Sequence, residues 1–97
     1  MKVMAIGSLS KPLTDEQRQE IMPKEVPDTL KLYLDGRIEQ FWFSQDVPGV
    51  IFLMNVDSVE DAKATLHTLP LDAAGLMSFQ LLTVGPLKPL GMLIQAK

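Results

Sequence analysis

Residues 50–71, VIFLMNVDSVEDAKATLHTLPL, join a predicted strand to a predicted helix and carry the strongest fold signal in the chain. The first seven residues are almost continuously apolar, which is typical of a strand that is buried on both faces. Ser58 follows as a helix N-cap, and Asp61, three residues later, completes a weaker form of the capping box. This stretch therefore predicts a buried strand that leads directly into an amphipathic helix.

The predicted helix has one apolar and one polar side. Its apolar residues recur at helical spacing and are Val59, Ala62, Leu66 and Leu69. Glu60, Lys63 and His67 fall together on the opposite side. His67 is the single histidine of the chain, and this position predicts a surface or structural role for it rather than a catalytic one.

The same patterns extend outward from this stretch. Strands are predicted over 2–9, 37–44, 50–56 and 76–84, and a first helix runs from 14 to 36. Thr14 and Gln17 form a capping box at the start of that helix. Pro23 and Pro27 each lack an amide hydrogen, so we expect a kink or a restart between residues 21 and 28.

The element order β-α-β-β-α-β predicts an α+β, ferredoxin-like domain, with a four-stranded antiparallel sheet and both helices on one face. The other face would be open to water, yet 46% of the residues are hydrophobic. We therefore expect two sheets to pack together into a dimeric α+β barrel. Residues 1–97 are predicted to be a single domain, whose apolar C-terminal arm (85–97) packs on a neighbouring subunit.

Composition excludes several classes of function. The net charge is −3 and the nine Lys and Arg residues are scattered, so no nucleic-acid partner is expected. No apolar run approaches the roughly 20 residues that span a membrane. The absence of Cys and the single His exclude thiol chemistry and Cys-ligated or His-pair metal sites within one chain. We expect a cytoplasmic protein.

A carboxylate in the hairpin of strands two and three is the first candidate for chemistry. If the hairpin has a four-residue loop, Glu39 pairs with Met54 and Phe41 with Phe52, which places the carboxylate among large apolar side chains. Desolvation there would raise the pKa of Glu39 and suit it to proton transfer. The alternative is that Glu39 lies in an ion pair at the end of the sheet, with Arg37 or with a lysine of another subunit.

Other side chains could bind a substrate, and the candidates are Tyr33, Gln40, Trp42, Phe52 and Asn55. Gln40 and Trp42 lie on the strand face opposite to Glu39, where Gln40 and Asn55 could donate hydrogen bonds to a carbonyl. Tyr33, at the end of the first helix, could supply a phenol to either face. Each of these residues also has an explanation as ordinary packing, because aromatic residues on buried strands usually belong to the core.

The stretch from Gly36 to Leu71 resembles the muconolactone delta-isomerase family. The resemblance rests on Trp42, Asn55-Val56, Ser58-Val59-Glu60 and Leu66-x-x-Leu69-Pro70-Leu71. It implies dimeric α+β barrels that assemble into larger rings. It also implies a reaction that moves a double bond in an unsaturated lactone by proton abstraction and return, without metal or cofactor. The chain departs from the family at Glu39, Gln40 and Phe43, where the enzymes carry basic or His-type residues.

Three functions therefore remain open at the level of sequence. One is a cofactor-independent isomerase that acts on a small unsaturated lactone or an aromatic-catabolism metabolite. Another is a non-catalytic oligomeric domain that binds a small apolar ligand or assists an enzyme. The third is cofactor-independent oxygenation by a small monooxygenase-like protein. All three share one fold, so the fold alone does not choose among them.

Overall fold

A computed structural model describes residues 1–46 and 48–85 of the chain. The elements are β1 (Lys2–Leu9), α1 (Asp15–Leu34), β2 (Ile38–Phe43), β3 (Gly49–Asn55), α2 (Val59–His67), α3 (Pro70–Ala73) and β4 (Met77–Val84). The four strands form one antiparallel sheet in the order β2-β3-β1-β4. The predicted α+β, ferredoxin-like arrangement is confirmed.

One face of the sheet carries the core beneath the helices. On β1, Val3 and Ala5 are fully buried, whereas the alternate residues Met4 and Ile6 are half-buried on the other face. Phe52 and Met54 of β3 continue the buried face beside β1. From α2 and the turn that follows it, Ala62, Leu66 and Leu69 complete the core, as their helical spacing predicts.

Helix α1 begins as predicted but is not interrupted by its prolines. The Thr14 hydroxyl accepts a hydrogen bond from the Gln17 N–H at 3.1 Å, and the Gln17 side chain accepts one from the Thr14 N–H at 3.0 Å. A restart is ruled out, because the helix runs unbroken over 20 residues, through Pro23 and Pro27, whereas the expected kink stays a prediction. Both prolines lie four residues apart on the exposed side of the helix, where water can satisfy the carbonyls that lose a partner.

The Leu-Pro-Leu stretch forms an element of its own. Helix α2 ends at His67, and the chain then turns into the short helix α3 with Pro70 at its first position, where the missing N–H of proline is tolerated. Sequence periodicity did not predict α3, because four residues are too few to show a helical repeat.

Strand β2 has a different register from the predicted one. Phe41 does pair with Phe52, but Met54 pairs with Ile38 instead of Glu39, because the strand has an irregularity between Ile38 and Gln40. Such a bulge adds one residue to one strand, so Ile38 and Phe41 both lie on the helix side of the sheet. The expected pairing of Glu39 with Met54 is therefore wrong.

Two predictions concern the ends and the environment of the chain. The predicted C-terminal arm (85–97) lies outside the described residues except for Gly85, so it stays a prediction. Within 1–46 and 48–85, none of the helices combines the length and the apolar character that crossing a membrane requires.

Candidate functional site

An apolar cavity of about 220 Å³ lies between α1, α3 and the helix face of β2 and β3; we call it the α1 pocket. Its lining consists of Met22, Glu25, Val26, Thr29, Leu30, Phe41, Trp42, Phe43, Val50, Phe52, Leu71 and Met77. The five α1 residues lie on adjoining faces of that helix because they are spaced by three or four positions. The pocket therefore presents large apolar walls and very few polar groups.

Glu25 supplies the carboxylate of this pocket. Its side chain is only 7% exposed, which is rare for a glutamate unless it is paired or hydrogen-bonded. One carboxylate oxygen, Oε1, accepts a hydrogen bond from the Leu71 N–H at 2.9 Å. The Thr29 hydroxyl lies 3.3 Å from the other, Oε2, and 2.8 Å from the Glu25 carbonyl oxygen, so it shares its single hydrogen between these two acceptors. The carboxylate is thus held by two donors within an apolar surrounding.

Burial raises the pKa of the Glu25 carboxyl above its usual range. The hydrogen bonds from Leu71 and Thr29 lower the pKa in part, and the negative charges of Asp28 and Asp72 add to the increase. A carboxyl group with a raised pKa is both a stronger base when ionised and a better-populated acid near neutral pH. The arrangement can therefore accept a proton from a ligand and return it.

The structure brings two of the predicted binding residues to this pocket. Trp42 and Phe52 both line it, although Trp42 pairs with Ile51 and so belongs by register to the open face of the sheet. Strand β2 lies at the edge of the sheet. The Trp42 side chain can therefore border the pocket around this edge, although it belongs to the open face. Tyr33 lies just outside the lining and contacts Phe41 edge to face, with ring centroids 5.2 Å apart.

Gln40 and Asn55 are exposed and do not line the α1 pocket. Gln40 pairs with Leu53 on the open face of the sheet, and Asn55 lies at the end of β3, where its N–H donates to the Arg37 carbonyl at 2.9 Å. The structure therefore separates these two amides from the cavity that holds Trp42 and Phe52.

Glu39 lies at the bulge of β2, and its carboxylate forms an ion pair with the Lys2 ammonium. It does not line the α1 pocket. Its side chain is 32% exposed, so water screens the pair. The alternative weighed from the sequence, an ion pair at the end of the sheet, matches this position, with a lysine of the same chain as the partner. A catalytic role for Glu39 stays a prediction.

Sequence reasoning missed Glu25 because the residue lies between Pro23 and Pro27, where a break in the helix was expected. Once α1 is continuous, Met22, Val26 and Leu30 form a line four residues apart, with Glu25 and Thr29 beside it. A charged residue inside an apolar line of this kind would have been the available signal. Among the described residues, no group of three or more His, Cys, Asp or Glu side chains is arranged to hold a metal ion.

Comparison with known proteins bears on the fold. No protein-family model and no curated protein sequence matches the chain. A solved structure of muconolactone isomerase superposes with a TM-score of 0.75 at 18% identity, over 89% of this chain and 90% of that one. A second, 5-chloro-2-hydroxyhydroquinone dehydrochlorinase from Burkholderia phenoliruptrix AC1100 in complex with 2,5-dihydroxybenzoquinone, gives a TM-score of 0.71 at 14% identity, over 92% and 98%. The chain therefore has a muconolactone isomerase-like fold.

Proposed function

We propose that this chain is a cofactor-independent isomerase that moves a double bond in a small unsaturated lactone, or in a related aromatic-catabolism metabolite. The observation that carries the proposal is the Glu25 carboxylate, buried among the apolar walls of the α1 pocket. The muconolactone isomerase-like fold supports the reaction class, because the same framework in other chains serves an isomerase and a dehydrochlorinase. A fold hosts many functions, so the proposed function rests on the Glu25 carboxylate rather than on the fold.

The proposed step needs a base, a place for negative charge and no redox partner. Ionised Glu25 takes a proton from the saturated ring carbon next to the conjugated C=C–C=O unit, and the C–H electron pair shifts through the double bond onto the carbonyl oxygen to give a dienolate. Protonated Glu25 then returns that proton to a different carbon of the conjugated system, and the carbonyl re-forms. Apart from Glu25, the lining includes Thr29 and Trp42, whose side chains carry hydrogen-bond donors, and a hydrogen bond from one of them to the enolate oxygen would stabilise its charge.

The size of the pocket supports a small ligand. A volume of about 220 Å³ lies below the roughly 300–1,000 Å³ of typical ligand pockets, so one small ring is the expected occupant. The dehydrochlorinase complex holds 2,5-dihydroxybenzoquinone, a single six-membered ring. A five- or six-membered unsaturated ring is accordingly the substrate size that we propose.

We also propose that two copies pair through the open face of the sheet, which we define as Met4, Ile6, Trp42, Ile51, Leu53, Leu82 and Val84. Cross-strand neighbours such as Met4 and Leu53, or Ile6 and Ile51, share this face. Leu82 is 42% exposed and Trp42 is 45% exposed. A continuous apolar surface of this kind marks an interface, which supports the homodimer expected from the sequence.

The test is to incubate the protein with a panel of butenolide lactones in D₂O and to follow isomerisation by NMR. We expect Glu25→Gln to lower kcat by about 10²–10⁴-fold, the usual contribution of a proton-transferring side chain. Because protonated Glu25 returns the proton that it abstracted, most of the product should carry no solvent deuterium, and deuterium from exchange during the dienolate stage should lie only at the carbon that receives the proton. Glu20→Gln, an exposed glutamate on the same helix, is the matched control and should leave the rate unchanged.

Two other outcomes would contradict the proposal. If Glu39→Gln abolishes turnover while Glu25→Gln does not, the proton carrier is the residue first predicted from the sequence. If no lactone turns over but lactones still change the fluorescence of Trp42, the single tryptophan of the chain, the pocket binds without catalysis. That second result would favour the non-catalytic ligand-binding alternative.

A further inference from the structure

A second cavity, of about 450 Å³, lies between α2, α3 and β4; we call it the α2 groove. Lys63, Ala64, Leu66, His67, Asp72, Phe79 and Leu81 line it. None of these residues lines the α1 pocket, so the groove is a separate feature. Lys63 and His67 lie four residues apart on α2 and therefore project from the same side of the helix.

His67 is oriented by a carboxylate at the edge of this groove. Its Nδ1 lies 3.3 Å from Asp72 Oδ1. Because an ionised carboxylate can only accept a hydrogen bond, the Nδ1 atom carries the proton. In the neutral ring, Nε2 is then an acceptor, and the protein gives it no partner among the described contacts. The tautomer that the contact with Asp72 favours thus leaves Nε2 as an acceptor on a side chain that is 73% exposed.

The apolar part of the groove is built on the core. Phe79 and Leu81 of β4 lie on the helix face of the sheet and pack against the core, and Leu66 is 1% exposed. The Phe79 ring lies over Gly7, where an added Cβ would come within 2.5 Å of it. Phe79 also contacts Phe52, with ring centroids 5.8 Å apart. The Phe79 ring is thus fixed by its contacts with Gly7 and Phe52.

We propose that the α2 groove binds a small phenol. Its ring would pack on Phe79 and Leu81, its hydroxyl would donate to His67 Nε2, and its oxygen would accept from the Lys63 ammonium. A phenol hydroxyl is both donor and acceptor, so it satisfies one acceptor and one donor that lie on the same side of α2. A carboxylate would fit less well, because it cannot donate to the neutral imidazole.

The test is a titration of the full-length protein with 4-methylphenol, followed by the ring signals of His67 in NMR spectra. His67 is the single histidine, so its signals need no further assignment. We expect saturable shifts of these signals. The matched ligand, 4-methylanisole, lacks the hydroxyl donor and should bind about tenfold more weakly or not at all.

Variants separate the groove from the pocket. Lys63→Met and His67→Phe alter exposed side chains, so they should fold normally and should each weaken 4-methylphenol binding about tenfold, with binding monitored by ligand-observed NMR. Lys11→Met, an exposed lysine away from the groove, should not change the affinity. Equal binding of 4-methylanisole, absence of saturable shifts, or loss of binding in Glu25→Gln but not in Lys63→Met would overturn the proposal.

Discussion

Leu71 and Asp72 are neighbours in the chain, and each orients a side chain in a different cavity. Leu71 donates its N–H to Glu25 at 2.9 Å in the α1 pocket, and the next residue, Asp72, contacts His67 at 3.3 Å in the α2 groove. Pro70 begins the helix that presents both residues. The Leu-Pro-Leu stretch is therefore more than the end of a packing helix, because it supplies one of the two hydrogen bonds that hold the buried carboxylate.

The raised pKa of Glu25 gives the stability of the protein a defined pH dependence. Burial raises this pKa in the folded chain above the ordinary value of 4.5, so the folded state binds more protons than the unfolded state above that pH. The free energy of unfolding should therefore fall as pH rises from about 4.5 through the folded-state pKa. Glu25→Gln cannot ionise and should lose this component of the slope.

The measurement is urea denaturation of wild type and Glu25→Gln at several pH values between about 4.5 and 8. Glu20→Gln is the control, since Glu20 is exposed on the same helix. The free energy of unfolding of wild type should decline with rising pH relative to that of Glu25→Gln. The free energy of unfolding of Glu20→Gln should follow that of wild type. Parallel curves for wild type and Glu25→Gln would show that burial does not affect the titration of Glu25.

At the scale of elements, α1 has a well-capped N-terminus and two prolines in its interior. The Thr14 capping box fixes its first turn, but Pro23 and Pro27 each remove a backbone hydrogen bond from the middle of the helix. Several apolar side chains on its later half are exposed, among them Leu30 at 46% and Leu34 at 79%. The helix covers the sheet loosely enough to leave the α1 pocket beneath it.

Replacing one of these prolines should stabilise the protein. Pro27→Ala restores an N–H that can reach the Pro23 carbonyl one turn earlier. Alanine favours a helix interior over proline by about 3 kcal/mol, and the greater freedom of the unfolded chain takes back up to about 1 kcal/mol. We expect the free energy of unfolding to rise by about 2 kcal/mol, measured by urea denaturation.

The control for that change is Gln19→Ala, at another exposed position of α1, which should alter the free energy of unfolding by less than about 0.5 kcal/mol. Unchanged or reduced stability of Pro27→Ala would mean that the helix needs the proline geometry at that position.

At the scale of the whole molecule, the sheet has one covered and one open face. Helices cover Val3, Ala5 and Phe52, whereas the open face presents apolar side chains from all four strands. The α1 pocket and the α2 groove both lie on the covered side. Pairing of two sheets through the open faces would leave the Glu25 carboxylate and the His67 imidazole on the outer, helical layer of each subunit.

A charge at the centre of the open face should separate the proposed dimer. Ile51 lies on β3, an inner strand, and neighbours Ile6 and Trp42 on that face. Sedimentation velocity should give wild type about twice the 10.8 kDa chain mass or a higher multiple. Ile51→Lys should sediment as a monomer, because an unpaired lysine at the centre of an apolar interface is strongly unfavourable.

Gln19→Lys, which adds the same charge on exposed α1, should retain the wild-type mass. Circular dichroism of Ile51→Lys verifies that its secondary structure is intact. If folded Ile51→Lys keeps the wild-type mass, the subunits do not pair through the open face.

Apart from the short helix α3, the sequence by itself determined which segments become strands and helices, because alternation, helical spacing and caps such as Thr14 with Gln17 are local properties. It also determined the order of the elements, and that order limits the fold to very few arrangements. Trp42 and Phe52 are large aromatic residues on adjacent strands and both line the α1 pocket, and their role in binding a substrate stays a prediction.

Only the tertiary structure decided which carboxylate is buried. The bulge beside Glu39 shifts its register and leaves it paired with Lys2, and a single added residue in a strand cannot be read from alternation alone. Glu25 is buried because α1 continues through two prolines and because Leu71, 46 residues later, brings its N–H to the carboxylate. Burial of a charged group depends on what packs over it from distant parts of the chain, and that information is not local.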